Sequence, residues 1–271
     1  MTETESGGSA HTAVGSAAPF DRRSAIRDLV HEEGSVTVDQ LVRMLGVSRM
    51  TVHRDLDALE SEGVLRKVRG GATASRSSLF ESDMPFRMKS AVAAKHAIGR
   101  KAAELVEGGS AVMLDESSTA LAALRAFDNK VPVSVITNCF LAMQYIITST
   151  PHRLIALGGD YVPRFQAFLG VICELAISGV QADILLASCS AIRGLNMYHQ
   201  DQQIVGTKRA MLSAAPTRVL LVDSTKVNVG AIYHLGTISE FTHLITDEGI
   251  SPEFADNVAD QGVEVIIAPL E

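Results

Sequence analysis

The feature that most constrains this chain is a pair of helical periods separated by only about three residues. Leu41, Val42 and Leu45 share one face of a helix that begins near Val38 and stops at Gly46, a residue suited to the turn that ends it. Ser48 then caps a second helix, whose Val52, Leu56 and Leu59 line one face until Gly63. Upstream, Ile26, Leu29 and Val30 recur at helical spacing from Arg22 to Glu33, and Gly34 stops the pattern. Downstream, Val64-Leu65-Arg66-Lys67-Val68-Arg69 alternates apolar and basic residues and closes on Gly70-Gly71, the pattern of a short β-hairpin arm. Three helices with a tight turn between the last two, followed by a hairpin, predict a winged helix-turn-helix over 21–76.

Charge divides the chain in the same place. The net charge of −7 would argue against a nucleic-acid partner, but its distribution matters more than its sum. Residues 21–76 are nearly neutral and Arg-rich, and the excess acid lies in 77–271. Residues 1–20 are rich in Ser, Gly, Ala and Thr without periodicity, which predicts a disordered tail. The Ser-rich stretch ending in Pro85 lacks a strong period and predicts a linker over 77–88. Cys139, Cys173 and Cys189 are odd in number and far apart, which fits reduced core thiols better than disulfides or a metal site. Neither a leader nor an apolar run of about 18 residues is evident, so the expectation is a cytoplasmic protein with no membrane partner, no metal and no cofactor.

From 89 to 271 the chain alternates short apolar runs with helical periods. Strands are predicted at 111–115, 132–137, 153–158, 183–188, 218–222, 242–246 and 263–267. Helices are predicted at 89–106, 118–126, 139–148, 167–178, 201–214 and 252–260. Continuous apolar strands separated by helices imply an α/β domain with a mainly parallel sheet covered on both faces.

Two groups of residues carry candidate chemistry. On the helix after Ser48, the polar side chains Arg49, Thr51, His53 and Arg54 lie away from Val52 and Leu56, where they can reach base edges or phosphates of double-stranded DNA. Arg22, Lys67 and Arg69 are further expected phosphate contacts. In a parallel sheet, ligands sit beyond the carboxyl ends of the strands, where helix N-termini hold anions. Asp115, Ser117, Ser118 and Thr119 follow the first strand, Thr137 and Asn138 the second, and Gly158 and Gly159 the third. Ser188-Cys189-Ser190 follows the fourth strand, Asp223 and Lys226 the fifth, and Lys208 lies on the helix before the fifth. Hydroxyls at a helix start with converging lysines suit a phosphate.

These residues resemble the DeoR-type family of sugar-metabolism regulators from about Arg22 to the C-terminus. Val47-Ser48-Arg49-Met50-Thr51-Val52-His53-Arg54-Asp55-Leu56, followed by Leu59-Glu60, Gly63 and Gly70-Gly71-Ala72, is similar to the family's DNA-binding signature. The 113–119 loop, Ile136-Thr137-Asn138, Leu157-Gly158-Gly159, Lys208-Arg209-Ala210-Met211, Val222-Asp223-Ser224-Thr225-Lys226 and Ile245-Thr246-Asp247 resemble its sensor domain over 89–271. The resemblance implies a fold shared with ribose-phosphate isomerases and coenzyme-A transferases. It also implies a homo-oligomer, dimer or tetramer, that represses a sugar or polyol operon from a palindromic or repeated operator and is released by a phosphorylated sugar or polyol. The chain departs from the family at Glu116 and Ser117, at Ser188-Cys189-Ser190, where glycines are common, and at His53, where a more basic residue is usual. An isomerase- or transferase-like enzyme with a DNA-binding head, with Asp115 or Glu116 as base, and a DNA binder with an inactive sensor are the competing readings.

Overall fold

The computed structural model describes residues 19–33, 35–61, 65–74 and 83–270. The expected tail lies outside these residues except for its last two positions, which open the first helix. The chain divides into two compact units, with the boundary between Phe80 and Glu81.

The N-terminal unit contains α1 (Pro19–Glu33), β1 (Ser35–Thr37), α2 (Val38–Leu45), α3 (Arg49–Ser61), β2 (Leu65–Val68) and β3 (Gly71–Ala74). A reciprocal capping box of Thr37 and Gln40 starts α2, and Gly46 ends it. Ile26, Val30, Leu41, Val52, Leu56, Leu59 and Leu65 form its core, so the apolar faces of all three helices meet the hairpin. The hairpin β2–β3 is joined by β1 in a three-stranded antiparallel sheet of order β1-β3-β2. β1 was not foreseen, because three residues are too short to show a period.

The C-terminal unit begins with α4 (Met84–Lys89), within the stretch expected to be linker. Met84 and Phe86 are buried, and Met84 N–H donates to the Arg164 carbonyl at 2.9 Å. Packing and pairing outweigh the weak period of this Ser- and Pro-rich segment.

The rest of the unit is built on α5 (Val92–Glu104), β4 (Ala111–Leu114), α6 (Ser118–Arg125), β5 (Ser134–Thr137), α7 (Phe140–Ser149) and β6 (Arg153–Ala156). There follow β7 (Asp160–Val162), β8 (Ala167–Leu169), α8 (Val171–Ser178), β9 (Ile184–Ala187), β10 (Ala191–Arg193), β11 (Asn196–His199) and α9 (Gln202–Ser213). The chain ends with β12 (Thr217–Leu221), β13 (Tyr233–Thr237), β14 (His243–Asp247), α10 (Pro252–Ala259) and β15 (Glu264–Ala268).

Seven strands form one wholly parallel sheet of order β15-β14-β12-β9-β4-β5-β6. Alternate strand residues supply two separate cores. Met113, Ile136, Leu185 and Leu220 face one, while Val112, Leu114, Val135, Leu186 and Leu221 face the other.

The helix expected over 167–178 is corrected. Residues 167–169 are strand β8, paired antiparallel with β7, and the helix starts only after Gly170, whose φ of 88° no helix accommodates. β10, β11 and β13 form a small antiparallel sheet that the apolar runs also did not reveal.

Candidate functional site

In the N-terminal unit the structure separates the expected DNA contacts into engaged and free side chains. Arg22 is buried, and its guanidinium grips Asp55 of α3 with two bonds, Nε to Oδ2 at 2.5 Å and Nη2 to Oδ1 at 3.1 Å. It ties α1 to α3 and presents no charge to a phosphate, contrary to expectation. Ser48 Oγ accepts from Thr51 N–H at 3.2 Å and so caps α3, and it lies 2.9 Å from Thr51 Oγ1, which engages that hydroxyl as well. Arg49 pairs with Asp39 and Lys67 with Asp57, in both cases near the surface. His53, Arg54 and Arg69 are exposed and have no hydrogen bond or ion pair among the described residues. Arg43 and Arg66, which the sequence reasoning did not select, are equally exposed and free.

The C-terminal unit holds a partly enclosed cavity of about 540 Å³, counting its open mouth. Its place follows from topology. The chain runs from β4 to β5 and β6 on one side, then returns to β9 on the other side of β4, so the strand order reverses between β4 and β9. A crevice opens at such a reversal, outside the carboxyl ends of the strands. Here its lining comes from Ser117, Ser118 and Thr119 after β4, Ser188, Cys189 and Ser190 after β9, and Asp223, Thr225 and Lys226 after β12.

Below the cavity, Asp115 joins the two strands at the reversal. Its Oδ1 accepts from Ser117 N–H at 2.9 Å, and its Oδ2 accepts from Ser188 N–H at 2.7 Å and from the Lys208 ammonium. Glu116 Oε1 also lies 2.9 Å from Lys208 Nζ, though off the axis of a hydrogen bond, and Glu116 Oε2 has no partner. Burial opposes the charge on Lys208, but Asp115 and Glu116 outweigh it and hold its pKa above the ordinary value. Burial likewise opposes ionised Glu116, and Lys208 outweighs it, so the Glu116 carboxyl stays below its usual range. Asp115 is therefore fully used in holding the scaffold, and Lys208 reaches the cavity wall already neutralised.

Other cations face the cavity more freely. Lys226 has no side-chain partner among the described residues. Lys95, which was not foreseen, is buried and donates to the Arg87 carbonyl and to the Ser90 carbonyl at 2.6 Å, which satisfies the end of α4 and leaves a third proton. Burial pulls its pKa down to about 8. Arg87 Nε and Nη2 have no hydrogen-bond partner among the described residues, and burial lowers the pKa of this guanidinium against the pull of Glu116 and Asp115. His199 is kept neutral by burial. Its Nδ1 accepts from Asp201 N–H at 3.1 Å, so the ring proton sits on Nε2. The hydroxyls of Ser118 and Thr119, at the start of α6, are also unpartnered among the described residues. The contributions of Arg87 and Lys95 carried no signal in the sequence, because α4 lay in the expected linker and Lys95 inside an Ala-rich helix.

Besides Asp115, four expected residues fall outside the cavity lining. Thr137 Oγ1 accepts from Cys139 N–H at 3.0 Å, and Asn138 Nδ2 donates to the Phe168 carbonyl at 3.1 Å. Gly158 and Gly159 turn the chain from β6 into β7. A Cβ on Gly159 would lie 2.5 Å from the Leu169 carbonyl oxygen, so this glycine is required by packing against β8. β5 and β6 lie on the far side of β4 from the crevice, so their end residues serve turns. Cys139, Cys173 and Cys189 are free and buried, with thiols pushed up to about 11, 12 and 12 by desolvation. Among the described residues no group of three or more His, Cys, Asp or Glu is placed to hold a metal ion. Among the described residues no helix is long and apolar enough to cross a membrane.

The family model of the DeoR-like helix-turn-helix domain matches residues 22–78, and that of the DeoR C-terminal sensor domain matches 90–248. The chain belongs to the DeoR family. Over 93% of its length it is 30% identical to the HTH-type transcriptional regulator YgbI of Escherichia coli, covering 99% of that protein. Over 84% of its length it is 32% identical to the lactose phosphotransferase system repressor of Streptococcus mutans, covering 91% of it. Ribose 5-phosphate isomerase A of Methanocaldococcus jannaschii is 18% identical, with a TM-score of 0.37 over 49% of this chain and 53% of that one, a likeness too distant to speak for chemistry. This DeoR-family protein is thus a DNA-binding transcriptional regulator and not an enzyme, which removes the competing enzymatic reading.

Proposed function

We propose that this DeoR-family regulator is a cytoplasmic repressor of a sugar or polyol operon, released from its operator by a phosphorylated sugar or polyol held in the cavity at the β4–β9 reversal. The observation that carries this reading is the lining of that cavity. Lys226 and the third proton of Lys95 are available there, and Arg87 has unused donors. The Ser118 and Thr119 hydroxyls stand at a helix start, which favours an anion. The phosphate lies against these groups, and the neutral, donating His199 faces a sugar hydroxyl. Lys208 and Asp115 keep the two strand ends together beneath the ligand instead of gripping the phosphate. α3 enters the major groove with His53 and Arg54 towards base edges, while Arg43, Arg66 and Arg69 supply phosphate contacts. The active species is a homo-oligomer, dimer or tetramer, on a palindromic or repeated operator.

The test is a fluorescence-anisotropy titration of operator-bound protein with a panel of sugar phosphates and the matching free sugars. A charge-assisted hydrogen bond contributes about 1.5–3 kcal/mol. Lys226→Ala should therefore weaken the effector about tenfold to a hundredfold, with DNA affinity in its absence unchanged. Equal release by free sugars, or a normal response from the variant, would sink the phosphate site.

A further inference from the structure

One side chain on the outer face of α3 is accounted for neither by charge nor by hydrogen bonding. Met50 is 75% exposed, more than any other large hydrophobic residue described. At about 100° per residue, the buried Val52, Asp55, Leu56 and Leu59 define one side of α3, and Met50 falls directly opposite them, in line with Arg54 one turn later and beside His53. Its polar neighbours in the first turn are already engaged, Arg49 with Asp39 and Ser48 with Thr51. Met50, His53 and Arg54 are therefore the side chains that the first two turns present freely. A thioether side chain is unbranched and polarizable, adapts to an irregular surface, donates no hydrogen bond and accepts only weakly through its sulfur. The one apolar group on a base edge in the major groove is the C5-methyl of thymine.

We infer that Met50 reads a thymine methyl group in the operator and sets base preference at that position. The inference rests on the reading of α3 as the helix that enters the groove. His53 and Arg54 flank Met50 with hydrogen-bonding groups, so the face combines apolar recognition at one base with polar recognition beside it. Met50 is not among the residues packed on the core of the N-terminal unit, so its replacement is expected to leave α3 folded.

The experiment starts with duplexes selected by the full-length protein from a randomised library. Each thymine of the selected consensus is then replaced in turn by deoxyuridine, which keeps every hydrogen-bonding group and removes only the methyl. The wild type is expected to bind about fourfold more weakly at one thymine within each α3 footprint, equivalent to about 0.8 kcal/mol for one methyl-sized group. Met50→Ala should bind the thymine and uracil duplexes alike, and Met50→Leu should retain the discrimination. The inference is overturned if no thymine is methyl-sensitive, or if Met50→Ala discriminates as the wild type does. His53→Ala and Arg54→Ala, put through the same selection, separate the two levels of the argument. An unchanged consensus for both overturns the reading of α3 itself, whereas a changed consensus with a methyl-indifferent wild type overturns only the role of Met50.

Discussion

The carboxyl ends of β4 and β9 and those of β5 and β6 look alike in sequence, yet they differ in what their polar residues do. At the first pair, Ser117, Ser118, Thr119 and Ser188 border a cavity, and unpartnered hydroxyls and donors remain there. At the second pair, Thr137 Oγ1 and Asn138 Nδ2 bond backbone groups and Gly159 packs against β8, so that of these side chains only Asn138 Oδ1 is left without a partner among the described residues. Polar residues at a strand end are thus a site only where the strand order reverses and opens a crevice. Elsewhere the same residue types satisfy backbone groups that would otherwise be buried without partners.

The sharpest way to test this contrast is at its foundation. Lys208→Met leaves Asp115 and Glu116 buried without their cation, a change that typically costs about 3–5 kcal/mol. Chemical denaturation should register a loss of that size in the C-terminal unit, and an unchanged midpoint would mean that the Asp115–Lys208–Glu116 cluster does not hold the two strand ends.

A smaller effect is expected from pH. Lys95 binds an anion only when protonated, and burial has lowered its pKa to about 8. A sugar phosphate is already dianionic above about pH 7, so its affinity should fall as pH rises through 8, by about tenfold between pH 7 and 9. Lys95→Met should bind weakly throughout and lose this dependence. A wild-type affinity independent of pH over that range would remove Lys95 from the site.

The smallest effect belongs to the flank. Asn138→Ala removes the bond to the Phe168 carbonyl and should lower stability by about 1 kcal/mol, while effector affinity in the same titration stays within about twofold. A tenfold loss of effector affinity would erase the distinction between the two pairs of strand ends.

Much of the fold was legible because periodicity reports burial directly. Leu41, Val52, Leu56 and Leu59 recur at helical spacing and do form the core of the first unit. The runs at 111–115, 183–188 and 218–222 are continuous because both faces of their strands are buried, which marks a parallel sheet. The strands of three residues, such as β1, β7 and β10, were not legible, since no period fits in so few positions. Residues 167–169 read as part of a helix because Ala167, Phe168 and Leu169 run into the apolar face of α8, and only the left-handed Gly170 separates them.

The sequence by itself determined the order of elements, the two-unit plan and the strand ends at which polar side chains gather, because these depend on neighbours along the chain. Tertiary structure alone decided which of those ends form the cavity, since strand order is a long-range property. It also decided which cations are free. Arg22 and Lys208 carry the same charge as Arg69 and Lys226, but Asp55 and Asp115, distant in sequence, occupy the first two. A charge in a sequence is a capacity, and whether it remains available depends on what the fold packs against it.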